Sequence, residues 1–93
     1  MDVNSIDNYN SLDTNQKQII LNWCLSLVKI KTINKKHTSY GLKRKFEESS
    51  QGFYVTNGAF KGAMIAAGFK TQEHDSVINL CFNVSEKSIK DLN

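Results

Sequence analysis

Ninety-three residues, 40% of them hydrophobic and nine aromatic (five Phe, three Tyr, one Trp), suffice for one small folded domain and leave no room for a second core. The hydrophobic content excludes a disordered chain, and the absence of proline excludes a proline-rich linker or PxxP ligand. The formal charge of +3 is unevenly spread: residues 1–16 carry Asp2, Asp7 and Asp13 with no Lys or Arg, and residues 17–45 carry eight Lys or Arg with no acid. A local positive field of that kind attracts polyanions; the plainer alternative is a solvated surface that keeps a small protein soluble.

Residues 1–12 (MDVNSIDNYNSL) are polar and aperiodic, and read as a mobile N-terminal arm ahead of a single domain over 13–93. Asp13 or Thr14 can cap a first helix running to about Lys31, because Ile20, Trp23, Cys24, Leu27 and Ile30 recur at three- and four-residue spacing. Trp23 is expected in the core. TINKKH (Thr32 to His37) reads as a polar, basic connection. Thr38 or Ser39 then caps a second helix through about Ser49, with Leu42 and Phe46 inward and Lys43, Arg44, Lys45 and Glu47 mostly outward. Phe53, Tyr54 and Val55 suit a short strand.

Thr56 or Asn57 caps a third helix, NGAFKGAMIAAG, which Gly68 ends in the left-handed conformation. Phe60, Met64 and Ala67 share one face of it, Gly58, Ala59, Gly62, Ala63 and Ala66 give a shallow profile, and Lys61 projects. Small residues permit close approach either to another helix or to a nucleic-acid groove. In VINLCFNV, Ile78, Leu80, Phe82 and Val84 alternate with Val77, Asn79, Cys81 and Asn83, the period of a half-buried strand. TQEHDS (Thr71 to Ser76) reads as a turn before it, and extension of Phe69 and Lys70 into a strand would make a hairpin. Ser85 can cap a short last helix.

The resulting fold class is α+β: a small helical domain with a two- or three-stranded antiparallel sheet, winged helix-turn-helix-like. The segment SSQGFYVT departs from the short turn of an ordinary helix-turn-helix.

Cys24 and Cys81 lie in apolar runs and read as buried free thiols. His37 and His74 lack metal-site spacing with them, and the adjacent pair His74-Asp75 does not by itself build a nucleophilic relay. With no P-loop or GxGxxG either, the chain reads as a non-enzyme without cofactor or metal. No apolar leader or membrane-length run is present, so a cytoplasmic protein without a membrane partner is expected.

KHTSYGLKRKFE, GFYVTNGAFKGAMIAAGF and NLCFNVSEKS, within about residues 29–90, resemble a small uncharacterised family carried by phages, plasmids and integrative elements of Gram-positive bacteria. That pattern commonly has His after the TSYGLK lysine, where this chain has Arg44: a basic group is kept and a histidine-specific role is lost. The resemblance implies a mobile-element accessory protein and brings no catalytic residues or ligand with it.

The sequence therefore favours nucleic-acid binding, to DNA before RNA. Lys35, Lys36, Lys43, Arg44 and Lys45 would lie on phosphates, with Tyr40, Thr56, Asn57 and Lys61 nearer the bases. Tyr40, Tyr54 and Phe53 interleave with the basic residues and could stack on unpaired bases; the alternative is that these rings lie in the core or at its edge with only the tyrosine hydroxyls wet. The alternative is a protein-binding effector that inhibits a host defence nuclease, as an anti-CRISPR does. A third reading is a homodimer joined through the Gly/Ala helix.

Overall fold

A computed structural model describes residues 2–74 and 78–92. Helix α1 spans Thr14–Leu25. A capping box starts it: Asp13 Oδ1 accepts from the Gln16 amide at 2.8 Å, and Gln16 Oε1 accepts from the Asp13 amide at 3.2 Å. The helix ends six residues before the sequence expectation, and Lys29–Asn34 forms strand β1 instead. The segment LVKIKTI satisfies both periods. Its apolar residues continue the helical spacing, while its β-branched residues alternate with polar ones. Pairing with a distant strand decides the conflict.

Helix α2 spans Ser39–Glu47 with Thr38 as its cap. Helix α3 spans Asn57–Ala66 with Thr56 as its cap. Gly68, at φ +94°, closes α3: its amide donates to Ile65 O and the Phe69 amide to Met64 O, satisfying the last carbonyls. Strand β2 spans Thr71–Glu73, β3 spans Leu80–Val84, and helix α4 spans Glu86–Lys90 behind its Ser85 cap. The sheet is antiparallel with order β1-β3-β2.

The expected hairpin is present as β2–β3, its first strand lying where TQE reads as a turn. The tip of that turn and the strand position expected for Val77 fall at 75–77, outside the described residues. By contrast, the strand expected at Phe53–Val55 does not form. The Val55 amide is taken by the Glu47 carboxylate at 3.1 Å and so is not left for a ladder, while the Phe53 ring packs edge-on against Phe46 at 5.2 Å.

β3 is the central strand and is enclosed on both faces rather than one, with Cys81 and Asn83 as buried as Phe82 and Val84. Asn83 makes this affordable in hydrogen bonds. Its Oδ1 accepts from the Lys70 amide at 2.6 Å and its Nδ2 donates to Ile30 O at 2.8 Å, tying both neighbouring segments where the β1 register is irregular.

The core gathers Ile20 and Cys24 of α1 and Leu27 just after it with Leu42, Phe46, Phe60, Met64, Phe82 and Val84. Trp23 is half-buried rather than central. Its indole meets Phe46 at 5.5 Å and Phe60 at 5.9 Å, both edge-on. The fold is a compact α+β domain of helices packed with a small three-stranded antiparallel sheet.

The N-terminal residues, read as an arm outside the domain, lie against it. Ile6–Ser11 form a 3-10 helix on α3, and the Gly58 amide donates to Val3 O at 2.9 Å. A Cβ at Gly58 would overlap the Ser5 carbonyl, and one at Gly62 would come within 2.5 Å of Tyr9 Cβ. The small residues of α3 thus serve a close approach by this chain's own N-terminal segment.

Candidate nucleic-acid interface

The nine residues expected to meet nucleic acid divide between two environments. On α2, Leu42 and Phe46 turn inward, which sends Tyr40, Arg44 and Glu48 outward along one stripe. Arg44 is exposed, with only a long 4.0 Å approach to Glu48. Lys45 is exposed on the flank towards Trp23, where both line a surface depression of about 380 Å3 with Ser49, Ser50 and Leu92.

Lys35 and Lys36 are exposed in the turn between β1 and α2, held by the Lys36 amide donating to Asn34 Oδ1 at 3.0 Å. That turn is pinned to α4. Glu86 Oε1 accepts from Asn34 Nδ2 at 3.1 Å and lies 3.0 Å from His37 Nε2. These bonds, from Asn34 first and then His37, hold the Glu86 carboxyl below the usual carboxylate range.

Lys43 overturns its expectation. It is 6% exposed, and its ammonium pairs with Glu47 at 3.0 Å, one helical turn on. The same ammonium lies 5.1 Å from the Tyr40 ring centre and 5.3 Å from that of Tyr54. Since Glu47 also accepts from the Val55 amide, this buried pair fastens the 53–56 segment to α2. Its charge is committed inside the protein.

The polar start of α3 is likewise committed. Lys61 does not project: it is 3% exposed, and Nζ donates to Ile78 O at 2.7 Å. Burial lowers the pKa of that ammonium, opposed by the charge of Asp2. Asn57 Nδ2 donates to Asn4 Oδ1, Ile78 O and Asn79 Oδ1. Thr56 Oγ1 accepts from the Ala59 amide at 3.1 Å and from Asn8 Nδ2 at 3.3 Å. These three side chains join the helix to the N-terminal segment and the hairpin instead of presenting it to a groove. The glycine face proposed for a homodimer is covered in the same way.

Two exposed features escape the expected set. Lys31 is exposed on β1 and adds to the positive surface. Tyr54, expected in a short strand and weighed as an aromatic beside lysines, is 76% exposed, and Tyr40 is 49% exposed. The spacing Tyr40, Lys43, Glu47 on one helix is the signal that could have revealed the buried pair.

Burial pushes the Cys24 thiol up to about 12, so it is inert as a nucleophile at neutral pH. Cys81 Sγ lies 3.5 Å from His74 Nδ1, while Asp75, the other half of the His-Asp pair, is outside the described residues. Among the described residues no group of three His, Cys, Asp or Glu side chains gathers as a metal site would, and no helix is long and apolar enough to cross a membrane. No family model, curated protein or solved structure matches the chain.

Proposed function

We propose that this chain is a nucleic-acid-binding accessory protein of a phage or other mobile genetic element, contacting phosphates through its basic segment in the cytoplasm. The observation that carries the reading is the exposure of Lys31, Lys35, Lys36, Arg44 and Lys45 in a stretch of chain that holds no acid from 17 to 45. The mobile-element setting rests on the TSYGLK and YVTNGAFKGAM resemblance.

The order helix, strand, helix, helix, hairpin, with β1 beside the hairpin strand β3, supports a winged-helix-like arrangement. In such an arrangement the third helix would enter a groove. Here α3 is enclosed by the N-terminal segment and the hairpin, so the contact is assigned to the outward stripe of α2 and the turn before it. Lys43, Thr56, Asn57 and Lys61 are accordingly structural in this proposal.

Binding of fluorescent single- and double-stranded oligonucleotides across a salt series tests it. Five neutralised phosphates would give a logarithmic salt slope of about −4.5 on duplex DNA and about −3.5 on a single strand. Salt-independent binding, or none at low salt, overturns the proposal.

The second reading, an inhibitor of a host defence nuclease, is favoured by one observation: Leu25, Val28 and Ile30 are 52%, 56% and 39% exposed along the α1–β1 junction. A partner retained from host lysate after nuclease digestion, and lost on Val28→Asp, would decide for that reading over the first.

A further inference from the structure

We infer that Tyr40 and Tyr54 form a stacking platform for the unpaired bases of a single-stranded nucleic acid. The inference rests on the nucleic-acid reading above and deepens it to a strand class. A tyrosine at the edge of a core ordinarily packs its ring and leaves only the hydroxyl wet. Here Tyr54 is 76% exposed and Tyr40 is 49% exposed, and neither belongs to the core cluster or its packed edge.

What keeps the rings in place is the buried Lys43. Its ammonium lies 5.1 Å and 5.3 Å from the two ring centres, which are therefore no more than about 10 Å apart. Lys43 is fixed by Glu47, and Glu47 by the Val55 amide next to Tyr54. Two outward rings are thus mounted on a helix and on a segment tied to it, so little ordering remains for a ligand to supply.

The surroundings select the occupant. Arg44 stands one helical turn from Tyr40 on the exposed stripe, and Lys35 and Lys36 are exposed in the turn that precedes the same helix, so α2 and its approach carry cations for a phosphate backbone. Beside Tyr54 lies a mostly apolar depression of about 220 Å3, walled by Leu12, Val55 and Ala59 with Asn8 and Thr56 among its polar lining. A planar base stacked on Tyr54 would find mainly apolar atoms there, since Asn8 and Thr56 are already bonded to each other.

A duplex cannot use this arrangement, because its base faces are already stacked on one another, and α3, the element suited to a groove, is enclosed. Splayed bases of a single strand present free π faces, and stacking on aromatic rings tolerates any base.

The test is fluorescence anisotropy with the full chain at low salt, using three labelled probes of equal length: a mixed-sequence single strand, its duplex, and a strand of abasic residues. The single strand should bind most tightly. Tyr54→Ala and Tyr40→Ala should each weaken it about 5- to 100-fold while changing duplex and abasic-strand binding little. Tyr54→Phe and Tyr40→Phe should retain single-strand affinity, since the ring and not the hydroxyl is used. Thermal melting of each variant confirms that the fold is retained. If both alanine variants bind all three probes as the wild type does, the platform is overturned while Arg44→Glu still reports phosphate contact and the basic-surface reading stands. If the wild type binds the duplex as tightly as the single strand, the platform is likewise overturned. If it binds no probe, both fall together.

Discussion

α2 and α3 invert what their residues suggest. The charged helix α2 keeps its outer stripe in water yet draws one lysine inside, whereas α3, built from small residues with a polar start, is covered along almost its whole length. Residue type thus says less about exposure than partner does. Lys43 is buried because Glu47 is one turn away and tyrosine rings shelter the pair. Lys61 is buried because the hairpin brings Ile78 O to its end. Arg44, adjacent to Lys43 in sequence, has no enclosed partner and stays wet. The lesson for function is that the polar start of α3 is spent on holding the N-terminal segment and the hairpin, and α2 is left to meet a ligand.

The sharpest way to break this comparison uses the neighbours Lys43 and Arg44. Lys43→Ala leaves Glu47 partly buried without its cation and should cost about 2–3 kcal/mol in urea unfolding, whereas Arg44→Ala should stay within about 0.5 kcal/mol. Equal, small effects would mean that the Lys43 pair carries no more weight than a surface contact. Binding should invert the order, with Arg44→Glu weakening every oligonucleotide.

A second comparison sets one glycine from each helix against the other. Gly58→Ala in α3 drives a methyl group into the Ser5 carbonyl and should destabilise the protein by about 1–3 kcal/mol by thermal melting. Gly41→Ala in α2 meets nothing closer than Thr38 Oγ1 at 4.0 Å and should stabilise by about 0.5–1 kcal/mol through helix propensity. Opposite signs for one chemical change would locate the N-terminal segment on α3 in solution.

The smallest expected effect concerns the turn that carries Lys35 and Lys36. Glu86 is held below its ordinary range by Asn34 and His37, so its contribution to stability is present above the unfolded carboxylate pKa and is lost as pH falls through the lowered folded value. Glu86→Gln should therefore be less stable than wild type near neutral pH. The difference should close as urea titrations move from about pH 7 to about pH 3. A difference that persists at the acid end would assign the effect to shape rather than charge.

Local chemistry was legible along the chain. Asp13, Thr38, Thr56 and Ser85 cap the four helices, and Gly68 stops α3, because each works through hydrogen bonds or dihedrals within a few residues. The inward positions Ile20, Cys24, Leu42, Phe46, Phe60 and Met64 follow equally from helical spacing. Among the candidate site residues, Lys35, Lys36, Tyr40, Arg44 and Lys45 are exposed.

Everything that depended on a distant partner had to await the tertiary structure. LVKIKTI fits a helix and a strand alike, and β3 made it a strand. Phe53–Val55 has strand composition, yet it lies against Phe46 and Glu47 of α2 instead. The burial of Lys43, Asn57 and Lys61 and the docking of residues 3–11 on Gly58 and Gly62 likewise depend on side chains and backbone brought together by folding. The sequence by itself determined where helices start and which faces are apolar, since those are properties of a few consecutive residues. What covers each polar or glycine-rich face was decided by the fold, because the groups that accept from Asn57 Nδ2 and Lys61 Nζ lie in segments distant along the chain.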